Sequence, residues 1–136
     1  MSEQLVRDAM VPEPLSLEAT APLQSAGEAL ARDDVRAVFV TADGRLAGVV
    51  TRKTLVREAV AKGLDPKTAT LGEIAEPPLA TIDCGMLLND AFAYLEEHDL
   101  ERVPVVEDGR LVGVLSRSAV QRRLAEDEPP AETVES

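Results

Sequence analysis

Apolar and polar positions follow one order of periods along the chain, and that order occurs twice. Leu23, Ala26 and Leu30 recur at helical spacing. Two β-branched runs flank Asp43-Gly44, which predicts a hairpin because glycine supplies the positive φ of the turn. In order, the first half predicts a short strand at 15–17, a helix over 22–32, strands over 37–41 and 46–51, and a helix over 51–62 that stops at Gly63. The second half predicts an extended segment over 79–82, a helix over 87–98, strands over 103–106 and 111–116, and a helix over 117–125.

The two halves are related by a shift of 65 positions without a gap. DGRLAGVVTR at 43–52 falls on DGRLVGVLSR at 108–117. A period this long is a whole supersecondary unit used twice, so it predicts one pseudo-symmetric body. The predicted parts are a first repeat over 5–63, a linker over 64–69, a second repeat over 70–125 and an acidic tail over 126–136. The tail holds two prolines and five acids, and we expect it to be disordered because it cannot bury enough apolar surface.

The order strand, helix, strand, strand, helix resembles the CBS domain, and two copies in tandem resemble the CBS pair, or Bateman module. The resemblance rests on VFVTADGRLAGVVTR in the first copy and VPVVEDGRLVGVLSR in the second, and it covers about 5–125. It implies an α+β fold in which two β-α-β-β-α repeats pack about a pseudo-twofold axis. It also implies two clefts that often hold adenosine-type nucleotides such as AMP or ATP, and frequent dimerisation.

The resemblance implies a ligand-binding motif, [Ser/Thr]-x-x-Asp, at each junction between strand and helix. Its hydroxyl helps to hold phosphate and its aspartate takes the two ribose hydroxyls. Thr51 and Ser116 keep the hydroxyl, but Thr54 and Ala119 stand where the resemblance expects aspartate. Thr54 can offer one hydrogen bond and Ala119 none, so any adenosine binding should be weak and should favour the first site. The alternative is that Thr51 and Ser116 are only helix N-caps.

Further candidate contacts lie beside these junctions. Arg52 and Arg117 follow the two hydroxyl residues and could capture phosphate, or could lie in a solvated first turn or a surface ion pair. The resemblance implies that contacts to a nucleotide base come from extended segments and strand backbone, here 11–17, 38–40, 75–82 and 103–105. Apolar residues of these segments are equally good core residues: Val11, Val38, Val40, Val103 and Val105.

Composition narrows the class of function. Lys and Arg number 14 against 25 Asp and Glu, giving a net charge of −11, which disfavours binding to a nucleic-acid backbone. The single cysteine, Cys84, excludes an internal disulfide, and the polar start and the lack of a long apolar run predict a cytoplasmic protein away from the membrane. His98 and Cys84 have no partners at metal-ligand or nucleophile spacing, so we expect neither a metal site nor an enzyme.

Two functional hypotheses remain. In the first, the chain is a stand-alone regulatory module that binds a small ligand, weakly if it is an adenine nucleotide, and acts on an effector protein. In the second, the clefts are empty and the chain is a structural adaptor. Both include a homodimer, because the helix over 52–62 carries an apolar face at Leu55, Val56, Ala59 and Val60 that is wider than one sheet contact needs. The helix over 87–98 adds Phe92 and Tyr94, and we expect these helical faces to meet across a two-fold axis.

Overall fold

The computed structural model describes residues 4–12 and 15–127. The helices are α1 (Val6–Ala9), α2 (Leu23–Leu30), α3 (Arg52–Thr54), α4 (Leu71–Ile74), α5 (Leu88–Glu97) and α6 (Arg117–Asp127), with a π-helical segment over Leu55–Val60. The strands are β1 (Val11–Pro12), β2 (Ser16–Glu18), β3 (Ala37–Ala42), β4 (Arg45–Thr51), β5 (Ile82–Asp83), β6 (Arg102–Glu107) and β7 (Arg110–Ser116). The predicted mixed α+β class is confirmed. Within the described ranges, no helix is both long enough and apolar enough to cross a membrane.

The described residues form two compact units. The first unit comprises 15–79 and 108–111, and the second comprises 4–12, 80–107 and 112–127. In the first, β2 runs parallel to β3 and β3 runs antiparallel to β4. In the second, β5 runs parallel to β6, β6 neighbours β7, and β1 runs antiparallel to β7.

Each unit has its own apolar core, built by one helix face against alternate strand residues. In the first unit, the face of α2 predicted by its helical spacing packs on the buried valines of β3 and β4; the core includes Leu23, Ala26, Leu30, Val38, Val40 and Val50. In the second, α5 packs on β6, β7 and α6 in the same way; the core includes Leu88, Ala91, Leu95, Val103, Val105, Leu115 and Val120. Valine, leucine and alanine fill both cores because the chain has three aromatic residues in all.

The compact units differ from the predicted repeats at both leading segments. Val6 of α1 is fully buried in the second unit, where its N–H donates to the carbonyl of Met86 at 2.9 Å. Leu71 of α4, a helix that the sequence analysis did not predict, is fully buried in the first unit. The bounds of the repeats therefore stay a prediction. In the folded protein, α1, which precedes the first repeat's strands, belongs to the second unit, and α4, which precedes the second repeat's strands, belongs to the first.

The two Asp-Gly turns predicted from the sequence are present and are joined by hydrogen bonds. Both residues of each turn have positive φ, 55° and 82° at 43–44 and 55° and 81° at 108–109, as a two-residue hairpin turn of this kind requires. Arg45 donates from Nη1 to the carbonyl of Asp108 at 3.0 Å, and Arg110 donates from Nη1 to the carbonyl of Asp43 at 3.1 Å. The arginine that follows each Asp-Gly pair therefore stabilises the opposite turn.

The helix predicted over 51–62 is only partly α-helical. After α3 the chain widens into the π-helical segment, where the N–H of Ala61 donates to the carbonyl of Val56 at 2.9 Å. The predicted stop is confirmed by Gly63, whose φ is +71°. At the other end of the chain, α6 continues to Asp127, two residues into the predicted tail, and residues 128–136 lie outside the described part.

Candidate functional site

The junction between β4 and α3 is closed by two threonines. The Oγ1 of Thr51 accepts from the backbone N–H of Thr54 at 3.2 Å, and the Oγ1 of Thr54 accepts from the N–H of Thr51 at 3.1 Å. This reciprocal pair is a capping box in which threonine replaces the usual acid at the third helical position. Both threonines of the predicted site are therefore brought together, and both cap the helix.

Thr54 is 1% exposed and also contacts a carboxylate that the sequence analysis did not single out. Its Oγ1 donates to Oε1 of Glu76 at 3.3 Å and lies 3.0 Å from Oγ1 of Thr51. A hydroxyl has one proton, so the proton of Thr54 goes to Glu76 and that of Thr51 goes to Thr54. Both hydroxyl protons are then committed within the protein, and most of the free acceptor capacity of these three side chains lies on Glu76.

The main chain fixes Glu76 beside β4. Its N–H donates to the carbonyl of Val49 at 3.0 Å, and the N–H of Val49 donates back at 2.8 Å. Gly48 makes this approach possible, because a Cβ there would lie 2.8 Å from Cβ of Ala75 and 3.0 Å from the carbonyl oxygen of Glu76. We call Thr51, Arg52, Thr54 and Glu76 the Thr51 junction.

Arg52 is the cationic member of the Thr51 junction. Its side chain is exposed, and Nη2 donates to the backbone carbonyl of Arg32 at 2.7 Å. Across the described ranges, no carboxylate lies within ion-pair distance of it. A backbone carbonyl orients the guanidinium but leaves its charge uncompensated, so Arg52 can attract an anion.

The equivalent residues Ser116, Arg117, Ala119 and Val11, the Ser116 junction, have a different chemistry. Oγ of Ser116 accepts from the N–H of Ala119 at 3.2 Å, so Ser116 also acts as an N-cap. Arg117 donates to Glu101 and, at 3.5 Å, to Asp99. The hydrogen bond with Glu101 raises the pKa of Arg117, which is therefore already paired with acids.

The two junctions differ in polarity at two equivalent positions. A shift of 65 positions lays Thr54 on Ala119 and Glu76 on Val11, so the hydroxyl and its carboxylate partner are both replaced by apolar residues. Val11 is 63% exposed. This paired change between the copies is the sequence signal that could have identified Glu76, which the prediction includes only within the extended segment 75–82.

The remaining predicted contact residues lie in the cores. The side chains of Val38 and Val40 in the first unit, and of Val103 and Val105 in the second, are at most 1% exposed. They can meet a ligand only through the backbone, as the resemblance implies. Their role as ligand contacts stays a prediction.

No cluster suited to a metal ion occurs among the residues that the structure describes, where no three His, Cys, Asp or Glu side chains converge. Cys84 is buried in the second core, and burial raises the pKa of its thiol. A buried, protonated thiol is neither a good ligand nor a good nucleophile.

Comparison with family models identifies the protein family to which the chain belongs. The family model of the CBS domain matches twice, over residues 6–61 and 71–126. The chain belongs to the CBS domain family. The resemblance seen in the sequence is thereby confirmed, and the tandem arrangement is that of a CBS pair.

Individual relatives extend this assignment. Hypoxic response protein 1 of Mycobacterium tuberculosis is 34% identical over 105 residues, which cover 76% of this chain and 73% of that protein. A crystal structure of Hypoxic Response Protein I with two coordinated zinc ions has a TM-score of 0.73 at 31% identity, covering 88% of this chain and 98% of that one. The crystal structure of CBSX2 in complex with AMP has a TM-score of 0.71 at 27% identity and covers 92% of this chain and 98% of that one.

Proposed function

We propose that this CBS pair is a regulatory module that binds an adenine nucleotide such as AMP at the Thr51 junction and acts through a partner protein. CBS-pair proteins are generally regulatory modules rather than enzymes. The observation that carries the proposal is the polar chemistry of the Thr51 junction. It contains a cation with no carboxylate partner and, bound to Thr54, an exposed carboxylate, whereas the Ser116 junction contains neither.

A nucleotide matches this pair of charges. Its phosphate is an anion that Arg52 can attract, and its ribose hydroxyls are donors that a carboxylate can accept. The AMP complex of CBSX2, at 27% identity, supports adenine nucleotides as the first class of ligand to test. Zinc, which the structure of Hypoxic Response Protein I contains, has less support because the described residues include no cluster of ligands for it.

We expect AMP to bind one site per chain with a Kd of about 0.1 mM or below, or roughly 5.5 kcal/mol. Arg52→Met should weaken binding about fivefold or more because it removes the cation facing the phosphate. Isothermal titration calorimetry with AMP, ADP and ATP measures both values. Lys67→Met removes the same charge from an exposed position elsewhere in the first unit and should leave the affinity unchanged.

Absence of nucleotide binding would contradict this proposal. If none of the three nucleotides produces heat or raises the melting temperature at about 1 mM, well above the expected Kd, the Thr51 junction is not a nucleotide site. The adaptor hypothesis would then take precedence.

A specific observation also favours self-association. On the π-helical segment, Leu55 and Ala59 turn toward the first core, while Val56 and Val60 are 57% and 73% exposed. Two exposed valines one turn apart, flanked by the ion pair between Glu58 and Lys62 at 2.6 Å, form an apolar stripe with a polar edge. We propose that this stripe meets its copy across a two-fold axis in a homodimer.

The double variant Val56→Glu and Val60→Glu should therefore be monomeric, because it places like charges opposite one another at the two-fold. Light scattering at tens of micromolar should give twice the chain mass for the wild type and the chain mass for the variant. Ala47→Glu, at an exposed position on β4, is the matched control and should remain a dimer. A monomeric wild type would refute the proposed interface.

A further inference from the structure

Glu76 is the member of the Thr51 junction with open acceptor positions. Its backbone is fixed by two hydrogen bonds to Val49, and its Oε1 accepts from Thr54. No donor among the described residues reaches Oε2, and the residue is exposed. An ionised carboxylate has about four acceptor positions and no proton of its own. Most acceptor positions of the Glu76 carboxylate are therefore open to a ligand.

The charge of Glu76 determines which part of a nucleotide it can meet. The carboxylate repels a phosphate, which Arg52 can attract, and it binds hydrogen-bond donors. The vicinal hydroxyls of a ribose are two neutral donors spaced to meet the two oxygens of one carboxylate. Both acceptor positions of the Thr54 hydroxyl are taken by the N–H and the hydroxyl of Thr51, so Thr54 contributes by donating to Glu76 and not by meeting the diol itself.

We propose that Glu76 is the residue that recognises the ribose diol, and that it makes the Thr51 junction selective for ribonucleotides over deoxyribonucleotides. The proposal rests on the proposed nucleotide binding at this junction. It assigns Thr54 a positioning role, since its buried hydroxyl orients the carboxylate by donating to Oε1. It also assigns the Ser116 junction no such selectivity, because Val11 stands at the position of Glu76.

Calorimetry with AMP and 2′-deoxy-AMP tests this assignment in the full chain. The wild type should bind AMP about tenfold more tightly than 2′-deoxy-AMP, because the deoxy ligand lacks one of the two charge-assisted hydrogen bonds. Glu76→Gln should weaken AMP binding about tenfold and reduce the preference to about twofold or less. Glu28→Gln removes the same charge from an exposed position on α2 and should change neither value.

The outcomes separate the two proposals. AMP binding with equal affinity for 2′-deoxy-AMP in the wild type would overturn the role of Glu76 and leave nucleotide binding intact, and it requires no variant to fold. Unchanged affinity and preference in Glu76→Gln would have the same meaning. Absence of AMP binding in the wild type would overturn both proposals together.

Discussion

Replacing Leu95 by alanine is expected to lower the free energy of unfolding by about 2–5 kcal/mol. Leu95 is fully buried on α5, where it contributes to the second core with Leu88, Leu115 and Val120. The substitution loses the transfer free energy of the removed atoms and leaves a cavity that the rigid surrounding helices and strands only partly fill. This is a large share of the stability of a small protein.

Urea unfolding followed by circular dichroism measures the effect, as a lower midpoint at an unchanged slope. Leu79→Ala is the matched control, because Leu79 is 92% exposed and its truncation should change stability by less than about 0.5 kcal/mol. A loss of under about 1 kcal/mol at Leu95 would mean that α5 does not pack as described.

Gly48→Val is expected to lower the free energy of unfolding by about 1–3 kcal/mol, the usual range for overpacking. Even the first added carbon would lie within 3.0 Å of Ala75 and of the backbone of Glu76, so the extended segment must move away from β4. That movement carries Glu76 away from Thr54. AMP binding should therefore fall together with stability.

Gly27→Ala is the control for this prediction, and its sign is opposite. A Cβ at Gly27 meets nothing within 4 Å, and Gly27 lies inside α2, where alanine is favoured by about 0.5–1 kcal/mol. The two variants should move the urea midpoint in opposite directions. A stabilising Gly48→Val would show that the close approach of 75–76 to β4 is not formed.

The elements that the sequence predicted well are those determined by local patterns. The spacing of Leu23, Ala26 and Leu30 identified the buried face of α2, and the two Asp-Gly pairs identified both hairpins. In each case the residues that carry the signal are neighbours in the chain. Their conformation follows from their own sterics and from the burial of one face.

Long-range pairings gave no comparable signal. Val11 on β1 pairs with Val114 on β7, although most of its side chain is exposed and the two lie far apart in sequence. Pairings of this kind place α1 and β1 in the second unit, although they precede the first repeat's other elements in the chain. A local pattern cannot specify such a placement. The π-helical segment gave no distinct signal either, because its apolar spacing resembles that of an α-helix.

The candidate site was predicted in part. Thr51 and Ser116 were placed correctly at helix starts, and their capping role is confirmed. The partner of Thr54 could not be inferred from its own neighbourhood because Glu76 is 22 residues away. Only the difference between the two copies contained that information, since both positions change from polar to apolar together.

The reciprocal contact between the Asp-Gly turns has the form of an isologous interface, in which residue i of one copy meets residue j of the other and the reverse. A chain with a single repeat could form the same contact as a homodimer, in which the arginine of each chain would bind the turn of the other. Fusion of two such chains retains the contact through Arg45 and Arg110 while removing the requirement that the copies be identical. One junction can then keep an acid and an unpaired cation while the other has valine in place of the acid and a cation already paired with carboxylates, which a symmetric dimer of identical chains could not do.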